Sequence, residues 1–430
     1  MTSACGQAPS ADASVGYDPS APPVTITFWF MPNGHDPQRS MQAEADEFHR
    51  LHPNITVKPV MLDWETALTK LSTAAAGGSG PDVSQVGTTW VGGISKTGGL
   101  QPYSRPELDA LGGRAAFLPS SWTATTLLGT DQVTAVPWLV DIRAVYYRTD
   151  VLRAAGLDPA RAFATWDAFE HTLQKIQKTS KITPFGQAGE NDWNVVHNVA
   201  PFIWSAGGDL LSGDGTQPML AGAGAVAGVD YYQRLMARYN TKKLMTGNSE
   251  QATEAFAAGK SAVMIQSPDL VARFRSKPGG AGLRAGWSTA PIPAGPQGRF
   301  TFLGGSNLAI FKSSEHHGAA FEWVRFLTDQ ASEGRYVLGR AGLWPARGSV
   351  VADKKLTADP QYRAFAMSQD GGRQYPAVAA WTDIEAALTK NFNMLWAEVA
   401  RTGRPLPVNR LRKLLGNADD DVRDAIQQAS

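Results

Sequence analysis

Apolar and polar positions alternate along this chain with two periods, and the switches between them mark its elements. Val24-Thr-Ile-Thr-Phe-Trp-Phe30 is rich in β-branched and aromatic residues and follows Pro22-Pro23, which predicts a first strand. Met41, Ala45, Phe48 and Leu51 recur at helical spacing and predict a helix over 37–51, closed by Pro53. Ile55 to Val60 reads as a second strand, and its Pro59 marks a sheet edge. A helix over 64–76 runs into Gly77-Gly-Ser-Gly80, and a third strand covers 81–86. Later helices are predicted near 166–178, 222–240, 250–258, 315–329, 381–400 and 419–429. Strands alternating with helices give an α/β class with a mostly parallel sheet. The Gly- and Pro-rich stretch 278–298 divides two structured regions, and no internal repeat is present.

Composition narrows the function. The 430 residues suggest two or three domains, and 43% apolar content is enough for full cores. Lys and Arg number 40 against 39 Asp and Glu, without the basic excess of a nucleic-acid binder. No apolar run reaches the length of a membrane-spanning helix. Thirteen Trp is a rich supply, and some are expected on a binding surface.

The single cysteine excludes an intrachain disulfide and a multi-cysteine metal site. Cys5 follows Thr2-Ser3-Ala4 and precedes a Gly/Ala/Pro/Ser/Asp-rich stretch up to Pro23, which reads as a tether. Small residues, a cysteine and a tether resemble the end of a bacterial lipoprotein signal, although Thr2 stands where Leu is usual. Cys5 is therefore the expected lipidation site.

Most enzyme-like strings fail on inspection. Gly259-Lys260-Ser261 has Glu254 where a phosphate-binding loop needs glycine. Lys96-Thr97-Gly98 lacks the Ser-x-x-Lys partner of a β-lactamase, and there is no Gly-x-Ser-x-Gly elbow. His49 and His52 read as solvated histidines at a helix end, His316-His317 likewise, and Tyr231-Tyr232 as core. No metal, cofactor or catalytic residue is expected.

A binding protein remains. Phe48-His-Arg-Leu-His-Pro-Asn-Ile-Thr-Val57, Gly78-Ser-Gly-Pro-Asp-Val83, Thr97-Gly-Gly-Leu-Gln-Pro102 and Ala135-Val-Pro137 come in that order. Val145 to Leu157, Ala164 to Phe169, Ala255 to Met264 and Gly304-Gly-Ser-Asn-Leu-Ala-Ile310 follow. Together they resemble the extracellular solute-binding proteins of bacterial ABC sugar importers, which include maltose-binding and glycerol-phosphodiester-binding proteins. The resemblance implies a two-lobe periplasmic-binding-protein-like fold with a hinge and an interlobe cleft. It places 24–140 and 300–343 in lobe 1, 141–299 and 344–430 in lobe 2, and 1–23 in the tether. It also implies a monomer, held outside the membrane by a lipid, that binds a carbohydrate and docks on permease subunits. The Ala- and Arg-rich composition is similar to that of actinobacterial members, including mycobacterial amino-sugar importers.

A sugar needs carboxylates or amides to bridge its hydroxyls and an aromatic ring against its CH face. In open α/β sheets the ligand sits beyond the carboxyl ends of strands. That rule selects Asn33 after the first strand and Thr88, Thr89 and Trp90 after the third, where relatives carry polar contacts. The resemblance assigns Asp141, at the first crossover, the place of an acidic sugar ligand. Gln266 and Asp269 follow Ala262-Val-Met-Ile265, with Asp269 where relatives often stack a ring. Trp193 and Asn198 fall in the segment that often supplies that ring, and Ser306 lies behind two glycines expected to admit the ligand. Trp344, Arg347 and Trp381 are candidate walls. Asp141, Asp192 and Asp269 form an acidic set, unless Arg143, Arg273 or Arg347 pairs with them. The expected ligand is a neutral or amino sugar. A glycerophosphodiester-binding protein and a secreted carbohydrate-acting enzyme are the alternatives.

Overall fold

The computed structural model describes residues 17–34, 36–192, 194–276 and 281–429. Two sheets organise the chain. The strands are β1 Val24–Phe30, β2 Ile55–Met61, β3 Val83–Gly87, β4 Val136–Ile142, β5 Ala144–Arg148, β6 Thr183–Phe185, β7 Ser261–Gln266, β8 Trp287–Ala290, β9 Thr301–Ile310, β10 Trp344–Pro345 and β11 Gly372–Arg373. The first sheet runs β10-β4-β9-β3-β1-β2, with β11 added beside β9, and the second runs β6-β7-β5-β8. β2 is an edge strand, as Pro59 requires.

The sheets are mixed, where the alternating pattern predicts mostly parallel pairing. β1 pairs in parallel with β2 and β3, but β9 lies antiparallel to both β3 and β4. In the second sheet β5 is antiparallel to β7 and β8, and only β6 and β7 are parallel. The long segment between β4 and β9 builds the second lobe, so β9 re-enters the first sheet from the opposite end. Periodicity does not encode that detour.

The chain crosses between sheets at a single residue, Arg143, which separates β4 from β5. It returns between β8 and β9, and leaves the first sheet again after β10. β8 lies inside the Gly/Pro-rich stretch read as a divider, so that stretch carries a strand as well as a crossover.

The helices used below are α1 Pro37–Leu51, α2 Val91–Lys96, α3 Val195–Ser205, α4 Ala223–Tyr239, α5 Trp381–Thr402 and α6 Val408–Ala429. In α1 the periodic Met41, Ala45 and Phe48 are buried, as their spacing predicts. Every residue of α3 is buried, because it lies against α4, α5 and β9. α6 begins well before the expected 419, and Leu411, Leu414, Leu415 and Ala418 of its missed half are buried.

Two large apolar clusters form the core, and the first also takes in Tyr146, Phe256, Met264 and Phe274 on and beside the second sheet. Phe28, Phe30, Phe48, Trp138 and Trp323 fill the first, where Trp138 stacks on Tyr336 at 5.3 Å. Phe169, Leu173, Ile203, Phe392 and Trp396 belong to the second. Tyr231 and Tyr232 are core residues there. Of the two histidines at the end of α1, His49 is exposed, as expected, with Nδ1 2.8 Å from the Ile55 carbonyl, whereas His52, just past the helix, is half-buried and stacks on Phe48 at 4.3 Å. His317 faces Glu107, with Nε2 2.6 Å from Oε1. No described helix is long and apolar enough to cross a membrane.

Candidate ligand cleft

The pairing registers bring one edge of the first sheet to the crossover. Gly87 lies opposite Ser306, Ser306 opposite Leu139, and Asp141 opposite Gly304. The carboxyl ends of β1, β3 and β4 therefore share an edge with the first half of β9. On that edge Asn33 donates to Gln85 Oε1 at 3.1 Å, and Gln85 donates to Ser306 Oγ at 2.8 Å. Thr88 is buried, its N–H bonded to the Gly305 carbonyl at 3.0 Å. The rings of Trp64 and Trp90, both half-buried, meet edge to face at 5.6 Å. Trp64 Nε1 donates to the Pro32 carbonyl.

Gly305 explains part of this edge. Its φ is +127°, and a Cβ there would lie 2.1 Å from the Leu139 carbonyl oxygen. The missing side chain serves the close approach of β9 to β4, beside the register shift between Pro137 and Leu139. That packing accounts for Gly305 without a ligand.

Arg143 is the hub. Nη2 donates to Asp141 Oδ2 at 2.6 Å and to Asn194 Oδ1 at 2.7 Å, and Nη1 donates to Gln266 Oε1 at 3.2 Å. Asn194 Nδ2 and Asn198 Nδ2 donate to Asp192 Oδ1 and Oδ2 at 3.4 and 3.3 Å. Ser249 Oγ donates to Asp192 Oδ2 at 2.8 Å. One network thus joins the crossover, the loop after β6, helix α3 and the end of β7. Burial pushes the Asp192 carboxyl above the usual carboxylate range, against the pull of Ser249 and Asn194. Ser249→Ala should cost about 1 kcal/mol of stability, a typical hydrogen bond, measured by chemical denaturation.

Asp269, half-buried, lies beside this network. It accepts from Ser267, and burial raises its pKa, with the Asp141 charge adding to the rise. Of the three bases weighed against these acids, Arg143 alone contacts one of them among the described residues. Arg273 pairs with Glu250, and Arg347 lies over Phe117 while bonding the Thr328 and Leu111 carbonyls.

Three buried polar atoms in the network have no hydrogen-bond partner among the described residues: Asp141 Oδ1, Arg143 Nε and Asn198 Oδ1. Leaving a buried polar atom unpaired costs about 1–3 kcal/mol; core groups such as Trp138 Nε1 and Tyr232 Oη are also unpaired, and what sets these three apart is that they converge on one polar network. A donor suits Asp141 and Asn198, an acceptor suits Arg143, and a hydroxyl is both.

The remaining sequence candidates divide. Thr89 lies near enough to Glu385 of α5 to pull that carboxyl's pKa down. Trp381 is buried, stacks on Tyr375 at 4.3 Å and donates to Glu385 Oε2 at 3.2 Å. Its ring is core, and it reaches the site only through that bond. Trp344 is fully buried near Tyr362 and Phe365, and Arg347 is held in the first lobe; the structure brings neither to the Arg143 network. Trp193 and Cys5 lie outside the described residues.

Sequence reasoning missed Gln85, Asn194, Trp64, His197 and Glu385 as site residues, and considered Arg143 only as a neutralising base. Trp64 was legible, since it directly follows β2 and the strand-end rule applies there too. Glu385 sits one helical turn after Trp381 and has no local signal. Among the described residues no group of three His, Cys, Asp or Glu is placed to hold a metal.

The family model described as bacterial extracellular solute-binding protein matches residues 32–333. The diacetylchitobiose binding protein DasA of Streptomyces coelicolor is 26% identical over 363 residues, covering 84% of this chain and 82% of that protein. The GacH receptor of Streptomyces glaucescens, solved unliganded and with acarbose, superposes with a TM-score of 0.79 at 22% identity, covering 94% and 99% of the two chains. The sugar-binding protein MalE of Xanthomonas citri gives 0.78 at 25% identity, covering 94% and 98%.

Proposed function

We propose, from the premise that this chain belongs to the bacterial extracellular solute-binding protein family, that it captures a carbohydrate between its two lobes at the Asp141–Arg143–Asn198 network. The observation that carries this reading is the set of three unpartnered buried atoms at the crossover, whose donor and acceptor demands a sugar's hydroxyls meet. Trp64 and Trp90 on the same sheet edge offer an aromatic face for the sugar's CH surface. The relatives' names point the same way.

The protein acts as a non-enzymatic carrier. It closes on its solute and presents it to the permease subunits of an ABC importer, with Cys5 carrying the lipid that holds it at the outer face of the cell membrane. The lobes divide near 24–140 with 300–343 and 141–299 with 344–430, except that β10 pairs with β4 and Arg347 bonds Thr328 and Leu111, which moves the last crossover beyond Arg347. The cleft is acidic: Asp141, Asp192 and Asp269 surround one guanidinium, and Glu385 lies nearby. That field disfavours a sugar phosphate and favours a neutral or amino sugar. A thermal-shift screen of neutral, amino and phosphorylated sugars tests the reading. A neutral or amino sugar should raise the melting temperature, because it binds only the native state. Stabilisation by phosphorylated sugars alone would overturn it.

A further inference from the structure

The turn between α5 and α6 makes a basic tip on the second lobe. From Glu398 to Lys413 the chain carries five bases and one acid, although its overall net charge is only +1. Arg401, Arg404, Arg410, Arg412 and Lys413 are all exposed. Arg410 donates to Glu398 Oε2 at 3.2 Å, and among the described residues the other four form no ion pair. Asp230, the acid of neighbouring α4, is held by Arg234 at 3.2 Å.

The acids later in α6 behave differently. Asp419 accepts from the Leu220 and Ala221 N–H groups, Asp420 from Arg423 and Asp421 from Lys390. Each of them has a structural task, and the bases at the start of the helix have none. Helix stability does not call for them either. A helix N-terminus favours acids, yet α6 has no acid in its first turn and places Arg410, Arg412 and Lys413 in its first two.

The tip is held firmly. Gly403, at φ +65°, ends α5, and Pro405 and Pro407 restrict the chain that follows. Between them Leu406 is clamped by buried Gln233, which donates to its carbonyl at 3.0 Å and accepts from its N–H at 2.9 Å. Leu411 and Leu415 enter the core, while Val408 stays 46% exposed between Arg404 and Arg410. Fixed bases around an exposed apolar side chain match a lipid surface, which offers anionic headgroups above an apolar layer. The far end of α6 meets Lys96 of α2. Both α5 and α6 have 22 residues, about 33 Å, so the tip stands a helix length from Lys96 and from Trp381.

We propose that this tip docks the second lobe on an anionic lipid surface, with Val408 entering the headgroup layer and the bases meeting the headgroup phosphates. The inference rests neither on solute capture nor on lipidation of Cys5. Each base close to such a surface is worth about fivefold in partitioning, and salt screens the attraction.

Co-sedimentation of the full chain carrying Cys5→Ser with lipid vesicles tests this, because no acyl chain then contributes. The protein should bind phosphatidylcholine vesicles that contain phosphatidylglycerol, ignore phosphatidylcholine alone, and dissociate as salt is added. Arg404→Ala, Arg412→Ala and Lys413→Ala together should weaken partitioning roughly 100-fold, with unchanged circular dichroism. Val408→Ser should weaken it and leave its salt dependence as it was. Lys58→Ala, Lys354→Ala and Lys355→Ala together remove three exposed bases elsewhere and should change nothing. A protein that ignores anionic vesicles, a triple variant at the tip that binds as tightly as its parent, or capture of polyaspartate in place of vesicles would overturn the proposal.

Discussion

Replacing Arg143 by methionine should lower folding stability by about 3–5 kcal/mol, the cost of removing one partner from a buried ion pair. The guanidinium is 3% exposed and bonds Asp141, Asn194 and Gln266 at once. Its loss strands Asp141 and removes the charge that eases the burial of Asp192 and Asp269. Because β4 and β5 meet at this residue, both sheets feel the change. Arg143→Lys should recover only part of the loss, since an ammonium cannot span three acceptors in a fixed fork. Denaturant unfolding followed by tryptophan fluorescence measures both. A loss below about 1 kcal/mol for methionine, as for an exposed pair, would show that the network is not the keystone of the crossover.

The second large effect concerns solute affinity. Asp141→Ala should cost about 1.5–3 kcal/mol of binding, the range for hydrogen bonds to a charged group, or roughly 10- to 150-fold in Kd. Asp141 is the one acid of the network whose side chain keeps partial exposure, 18%, while one of its oxygens has no partner among the described residues. It is therefore placed to meet a solute and not only to hold Arg143. Folding should suffer as well, because Arg143 loses its partner. Affinity must therefore be measured where the variant is fully native by circular dichroism.

Much of the first lobe is readable from local pattern. Periodicity places β1, α1 and β2 because each buries one regular face and ends at Pro or Gly. The first half of α6 is not readable, because it follows Pro405 and Pro407 and is crowded with Arg and Lys; only the packed second lobe reveals Leu411 and Leu415 as core. The antiparallel entry of β9 is likewise a long-range property of the chain's return.

For the site, the family resemblance supplies Asp141, inside β4, whereas strand-end logic points to Asn33, Thr88, Thr89 and Trp90, since a loop after a strand is a local feature. It does not distinguish a tryptophan on the cleft edge from one in a core. Trp90 packs on Trp64 at the sheet edge, whereas Trp344 is buried beneath helices that arrive from elsewhere in sequence. Glu385 and Thr89 illustrate the remaining gap. They are far apart in sequence, and only the packing of α5 against the first lobe brings them together.

Isothermal titration of the wild type and Asp141→Ala against neutral, amino and phosphorylated sugars and a glycerophosphodiester tests the central claim most directly. The account predicts that a neutral or amino sugar binds the wild type more tightly than its phosphorylated counterpart, and that Asp141→Ala weakens this binding at least about tenfold. Binding confined to the phosphodiester or the phosphorylated sugars, or equal affinity in the two proteins, would contradict it.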